Sequence, residues 1–190
     1  DDKQAEFYFS EAIRIYSLNR KRMSSEVSLA LSRFGTFLDS KARFNEAEKK
    51  HIEAITIIET IGKGTLDHYK RKHFLAKHYF KRGKYKEALL TELEAYGILI
   101  KLKTTDMGSI KAEALSDLSE FFSLNGDMNS ALKYAEEASS EFEQHLLRTG
   151  TKIPTYEMKN YEAVKRHSSN YVELLLQEGS DISIQKAFKV

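Results

Sequence analysis

A chain of 190 residues with 30 Lys and Arg against 28 Asp and Glu has a net charge of only +2, which argues against a general nucleic-acid binder. Zero cysteines exclude disulfides, thiolate catalysis and thiolate-ligated metal sites, and are compatible with a cytoplasmic home. A hydrophobic content of 41% with a single proline suits long helices, while no run of 18 apolar residues is present to span a membrane.

Taken in order, apolar residues recur at helical spacing and no strand-like alternation persists. The first helix covers 2–18, with Phe7, Tyr8 and Phe9 crowded at its start, and a basic turn of Arg20, Lys21 and Arg22 follows. Ser24 or Ser25 is expected to cap a helix running to Asp39. A second covers 44–61 and is stopped by Gly62, Lys63 and Gly64. The next starts at Asp67 as N-cap and runs to Arg82, and its partner covers 84–103. Helices over 109–124 and 129–147 come next, and a connection containing Pro154 leads to 156–177 and a short 181–188.

Fixed spacing ties these helices into repeats. Ala5 and Ala12, Ala47 and Ala54, Ala88 and Ala95, and Ala131 and Ala138 are each seven residues apart. Twelve residues before the first alanine of the last three pairs stand Gly35, Ala76 and Ser119, flanked by Phe34 and Leu38, Leu75 and Tyr79, and Leu118 and Phe122. Successive copies are offset by 42, 41 and 43 residues. A fainter copy, with Tyr171, Leu175, Gly179, Ile184 and Phe188, is set off by 53. A small side chain at a helix crossing lets two backbones approach, and large neighbours fill the groove beside it.

On these residues the chain resembles the tetratricopeptide repeat (TPR) family, in a long-helix variant similar to the repeats of kinesin light chains and of bacterial regulatory proteins. Leu31, Phe34, Gly35, Leu38, Ala47 and Ala54 fit the family pattern closely. Lys72, His51 and Glu92 depart from it, each standing where a ring is usual. The resemblance implies an all-α fold, a right-handed α-solenoid of antiparallel helix hairpins. We expect one repeat domain over 1–190, a fragment of a larger chain, with a partial unit 1–20, units 24–62, 65–104 and 108–148, and a divergent unit 155–190.

Charge is unevenly spread. From Lys63 to Lys86 nine Lys and Arg face Asp67 alone, a balance of +8, whereas from Glu113 to Glu143 eight acids face Lys133 alone, a balance of −7. In the resembled family the first helix of each unit lines a concave groove. That implies Ser32, Arg33, Thr36, Asp39 and Ser40, then Lys70, His73, Phe74, Lys77, Phe80 and Lys81, then Glu113, Ser116, Asp117, Glu120 and Leu124, and finally Arg166, Ser169, Asn170 and Glu173. The partner-binding set chosen from these is Arg33, Lys70, His73, Phe74, Lys77, Phe80, Lys81, Asp117, Glu120 and Asn170. Lys70, His73, Lys77 and Lys81 recur at steps of three and four and share one helix face, suited to an acidic peptide segment. Alternatively, Glu113, Asp117 and Glu120 neutralise Lys70, Lys77 and Lys81 in exposed pairs that contribute about 0 to 1 kcal/mol each.

Chemistry is sparse. His68, His73 and His78 follow one another at five-residue steps, about 140° apart on a helix, so they do not form a same-face metal pair, and His51 reads as a core-edge ring. No nucleophile elbow and no phosphate loop is present. The expected protein is not an enzyme and has no cofactor or metal. It is a scaffold or adaptor that holds a protein or peptide segment. Phosphate-backbone binding through 63–86 and self-assembly are the alternatives.

Overall fold

The computed structural model describes residues 2–19, 24–103, 107–149 and 172–180. They divide between two compact units, Asp1–Lys103 and Thr104–Val190. The first holds α1 (Asp2–Asn19), α2 (Ser25–Ser40), α3 (Phe44–Gly62), α4 (Leu66–Lys81) and α5 (Tyr85–Leu99). The second holds α6 (Gly108–Leu124), α7 (Met128–Thr149) and a helical stretch at 172–178. No strand occurs among the described residues.

Local chemistry sets the helix starts. Ser24 is extended and its hydroxyl accepts from the Val27 N–H, which satisfies one of the donors that every helix start leaves orphaned. The start of α4 differs from expectation. Thr65, not Asp67, is the N-cap, because Thr65 is the residue still in extended backbone and its hydroxyl accepts from the His68 N–H. Asp67 lies inside the first turn, where its charge suits the helix dipole, and it accepts a 2.6 Å hydrogen bond from Ser25 Oγ. Helix α5 stops at Leu99 rather than Lys103. The N–H groups of Lys101 and Leu102 turn back to Ile98 and Leu99, a tightening that no Gly or Pro announces.

The alanine register is the packing register. Ala47, Ala54, Ala88, Ala95, Ala131 and Ala138 are each at most 1% exposed, and so is Ala76. Ser119 adds a polar tie, donating a 2.8 Å hydrogen bond to the Ala131 carbonyl. At Gly35 the approaching group is the His51 ring, which a Cβ at residue 35 would meet at 2.8 Å. Leu31 and Leu38 are fully buried, each burial contributing about 1.5–3 kcal/mol. Of the three rings at the start of α1, Phe9 turns inward and stacks 5.3 Å from Phe34, while Phe7 and Tyr8 face solvent.

A polar layer runs through this core. The Arg71 guanidinium, 1% exposed, donates from Nε to Ser28 Oγ, and Ser28 donates onward to the Ala54 carbonyl. A cation of the basic stretch is thereby spent on joining α4 to α2 and α3 instead of facing solvent.

Candidate functional site

On α4 the expected binding residues separate into two groups. Lys70, Phe74, Lys77 and Phe80 are half-buried and Lys81 is exposed, whereas His73 turns inward. Its Nδ1 sits 3.0 Å from both carboxylate oxygens of Glu92 on α5. Thus the ring expected to meet a partner is spent on an interhelical pair, and Glu92 occupies its ring-type position because it answers that imidazole. The Phe80 ring lies 5.9 Å from that of Tyr85. On α2, Arg33, Thr36 and Ser40 are exposed, but Ser32 and Asp39, expected on the groove wall, are buried.

Other cations of the basic stretch are committed within the first unit. Lys72 pairs with Glu94 at 2.8 Å, Arg82 with Glu48 at 2.6 Å, and the Lys84 ammonium stands 5.4 Å over the Tyr79 ring. The +8 balance in sequence is therefore not a +8 surface.

In the second unit, Asp117 is half-buried and Glu120 exposed. Glu120, Leu124 and Glu173, all expected at groove positions, line one cleft of about 320 Å³ with Ser119, Ser123, Leu174 and Gln177. Leu174 and Leu175 pack with Ala131 and Ala135, which anchors this stretch. Asn170, Arg166 and Ser169 lie outside the described residues, as does the divergent unit 155–190 apart from 172–180.

The three histidines of α4 are all buried and address three different neighbours, as 140° steps require. His68 Nδ1 accepts from the Gly64 N–H at 3.1 Å, so the proton of the neutral ring sits on Nε2. That atom is 3.3 Å from Glu59 Oε1, too poorly aligned to count as a hydrogen bond. Burial holds the His68 pKa below its ordinary value. A cleft of about 570 Å³ opens beside it, bordered by Lys63, Lys101 and Gly97.

His78 reaches α2. Its Nδ1 stands 2.6 Å from Asp39 Oδ1, while His51 Nε2 on α3 stands 3.2 Å from Asp39 Oδ2. Burial alone would raise the Asp39 pKa; hydrogen bonds from His51 and His78 overcome it and hold the carboxyl down at about 2. Asp39 is thus an anion at neutral pH and both rings donate to it. His51 is 1% exposed, in the core rather than at its edge. Five-residue steps keep the α4 histidines from sharing one face, but the ligand atoms of Asp39, His51 and His78, from three helices, lie within 4.8 Å of one another.

No protein-family model matches the chain, and no curated protein does. Solved structures do. TPR-like repeats of the kinesin light chain kind from Podosopora anserina superpose with a TM-score of 0.73 at 13% identity, covering 99% of this chain and 84% of that one. A second structure of those repeats gives 0.71 at 12% identity, with the same coverage. BtubC from P. vanneervenii gives 0.70 at 16% identity over 80% of this chain, which spans 60% of that protein. Likeness at such low identity establishes the fold: an all-α solenoid of the TPR type.

Proposed function

We propose that the protein is a non-enzymatic scaffold that holds a segment of another protein, acidic in character, on the exposed face of α4 and the neighbouring Arg33. The observation that carries this reading is selective exposure along one helix. Lys70, Phe74, Lys77 and Lys81 recur at steps of four, three and four and keep at least part of their surface in solvent, while Arg71 and His73 of the same helix are buried. An extended or helical segment carrying Asp or Glu beside an apolar anchor suits that stripe, the rings supplying contact area and the ammonium groups supplying steering.

No helix among the described residues is long and apolar enough to cross a membrane, and a cytoplasmic setting suits a chain without cysteine. Nucleic-acid binding through 63–86 is the weaker reading, because Arg71, Lys72 and Arg82 are already committed. Self-assembly draws its support from Phe7 and Tyr8, about three-fifths exposed on α1.

The test is a titration of fluorescent acidic peptides, each with one aromatic or leucine anchor, against the wild type and Lys77→Glu/Phe80→Ala. A loss of at least tenfold in affinity, about 1.4 kcal/mol, is expected while the helical circular dichroism stays intact. Equal affinity for both proteins removes the α4 face as the binding surface.

A further inference from the structure

The buried cluster in the first unit has the composition of a metal site. Asp39, His51 and His78 contribute one carboxylate and two imidazoles from α2, α3 and α4, none more than 8% exposed. Imidazole and carboxylate together suit zinc and its neighbours among the divalent transition metals, and zinc sites with three protein ligands keep a fourth position open. Ligand atoms about 2.1 Å from a tetrahedral ion stand roughly 3.4 Å from one another. The rings face different oxygens of Asp39, His51 Nε2 at 3.2 Å from Oδ2 and His78 Nδ1 at 2.6 Å from Oδ1. The first pair is already near that spacing, the second needs to open by under about 1 Å, and an ion between the rings meets the carboxylate through both oxygens.

We propose that Asp39, His51 and His78 bind one divalent metal ion of the zinc class, through the Asp39 carboxylate, His51 Nε2 and His78 Nδ1, and that the ion pins α2, α3 and α4 together.

Two further observations support the assignment. With the rings donating to Asp39, their opposite nitrogens, His51 Nδ1 and His78 Nε2, are buried without a hydrogen-bond partner. An ion takes the Asp39-facing nitrogen of each neutral ring and moves its proton to the far nitrogen. His78 Nε2 then becomes a donor, and the nearest carboxylate oxygen, Glu48 Oε2, stands 3.9 Å away, about 1 Å beyond hydrogen-bond distance. Closing that gap on metal binding would complete the carboxylate–histidine–metal arrangement that fixes ring orientation in known sites, with Glu48 itself paired to Arg82 at 2.6 Å. The second observation is the room for the site: His51 reaches Asp39 only because residue 35 has no side chain, since a Cβ there would meet the ring at 2.8–2.9 Å.

The chelator-stripped full chain is titrated with Co2+ and then Zn2+. One Co2+ per chain with the intense visible absorption of a low-coordinate N/O site, displaced by Zn2+, is expected, together with a rise in thermal midpoint. Long-range 1H–15N spectra of the histidine rings should show His51 and His78 exchanging tautomers when Zn2+ is added. Binding should be lost in His51→Gln/His78→Gln, fall about tenfold in Glu48→Gln and persist in His68→Gln. Absence of stoichiometric binding to the wild type overturns the proposal, and so does binding that leaves both tautomers unchanged. Because the spectra are taken on the wild type, the decision does not depend on the variants folding.

Discussion

At the scale of single residues, space and water decide more than contact lists. Gly35 is helical, so its role is not backbone freedom; it is the volume its missing side chain leaves to His51. Gly35→Ala places a methyl 2.8 Å from the ring and forces His51 off Asp39. The expected loss is about 1–3 kcal/mol, seen as a lower urea midpoint at unchanged m. His68 makes a separate prediction about pH. Burial depresses its folded pKa below the ordinary 6.5, so the unfolded chain takes up a proton at this site before the folded chain does. Its contribution is fully present above 6.5 and is lost as pH falls through the lowered folded value. Urea midpoints measured from about pH 7.5 to about 5.5 should therefore fall further in the wild type than in His68→Gln. Parallel profiles would show that the ring gives up no hydration on folding.

At the scale of elements, the same turn closes three hairpins. Between α2 and α3 the N–H groups of Lys41, Ala42 and Arg43 bond to Leu38, Asp39 and Leu38; between α4 and α5 those of Arg82, Gly83 and Lys84 bond to Tyr79, Phe80 and Tyr79. Asn125, Gly126 and Asp127 repeat the pattern onto Phe122, Ser123 and Phe122. The middle residue is left-handed each time, at φ 71° for Gly83 and 83° for Gly126, but at 56° for Ala42, where a Cβ is strained. Ala42→Gly should stabilise the protein by about 0.5–1 kcal/mol, the relief of strain exceeding the added freedom of the unfolded chain. A lower melting temperature in this variant would contradict that account. The repeat period was readable because each alanine, small partner and turn glycine answers a steric demand that only a few residue types meet. Among the described residues the helix starts were readable to within two residues, Thr65 for Asp67 being the largest miss, since either side chain caps and only the backbone says which one remains extended. The histidine and acid pairs were not readable. His51 with Asp39, and His73 with Glu92, join residues on different helices, and spacing along one helix carries no information about the residue across the crossing. A sequence signal did exist: His51 and Glu92 stand at positions where rings are usual, and a polar residue in a packed position calls for a polar answer.

At the scale of the whole molecule, the question is which length of chain is a folding unit. In a repeat protein each hairpin draws its stability from its own packing and from its immediate neighbours. Residues 1–103 hold one apolar cluster of Val27, Leu31, Ala54, Ile57 and Ile13 and another of Phe34, Leu38, Ala47, Phe9, Ile13 and Phe37. The polar ties Arg71 to Ser28, His78 and His51 to Asp39, and Arg82 to Glu48 also begin and end inside these residues. A polypeptide of residues 1–103 therefore retains both partners of each of these interactions. It should give a helical far-UV spectrum and a single cooperative urea transition, at a midpoint below that of the full chain because fewer repeats share the cost of ordering. A broad, non-cooperative transition with bound hydrophobic dye would mean that these clusters do not close without residues 104–190, and the boundary at Lys103 would then mark a turn and not the edge of a folding unit.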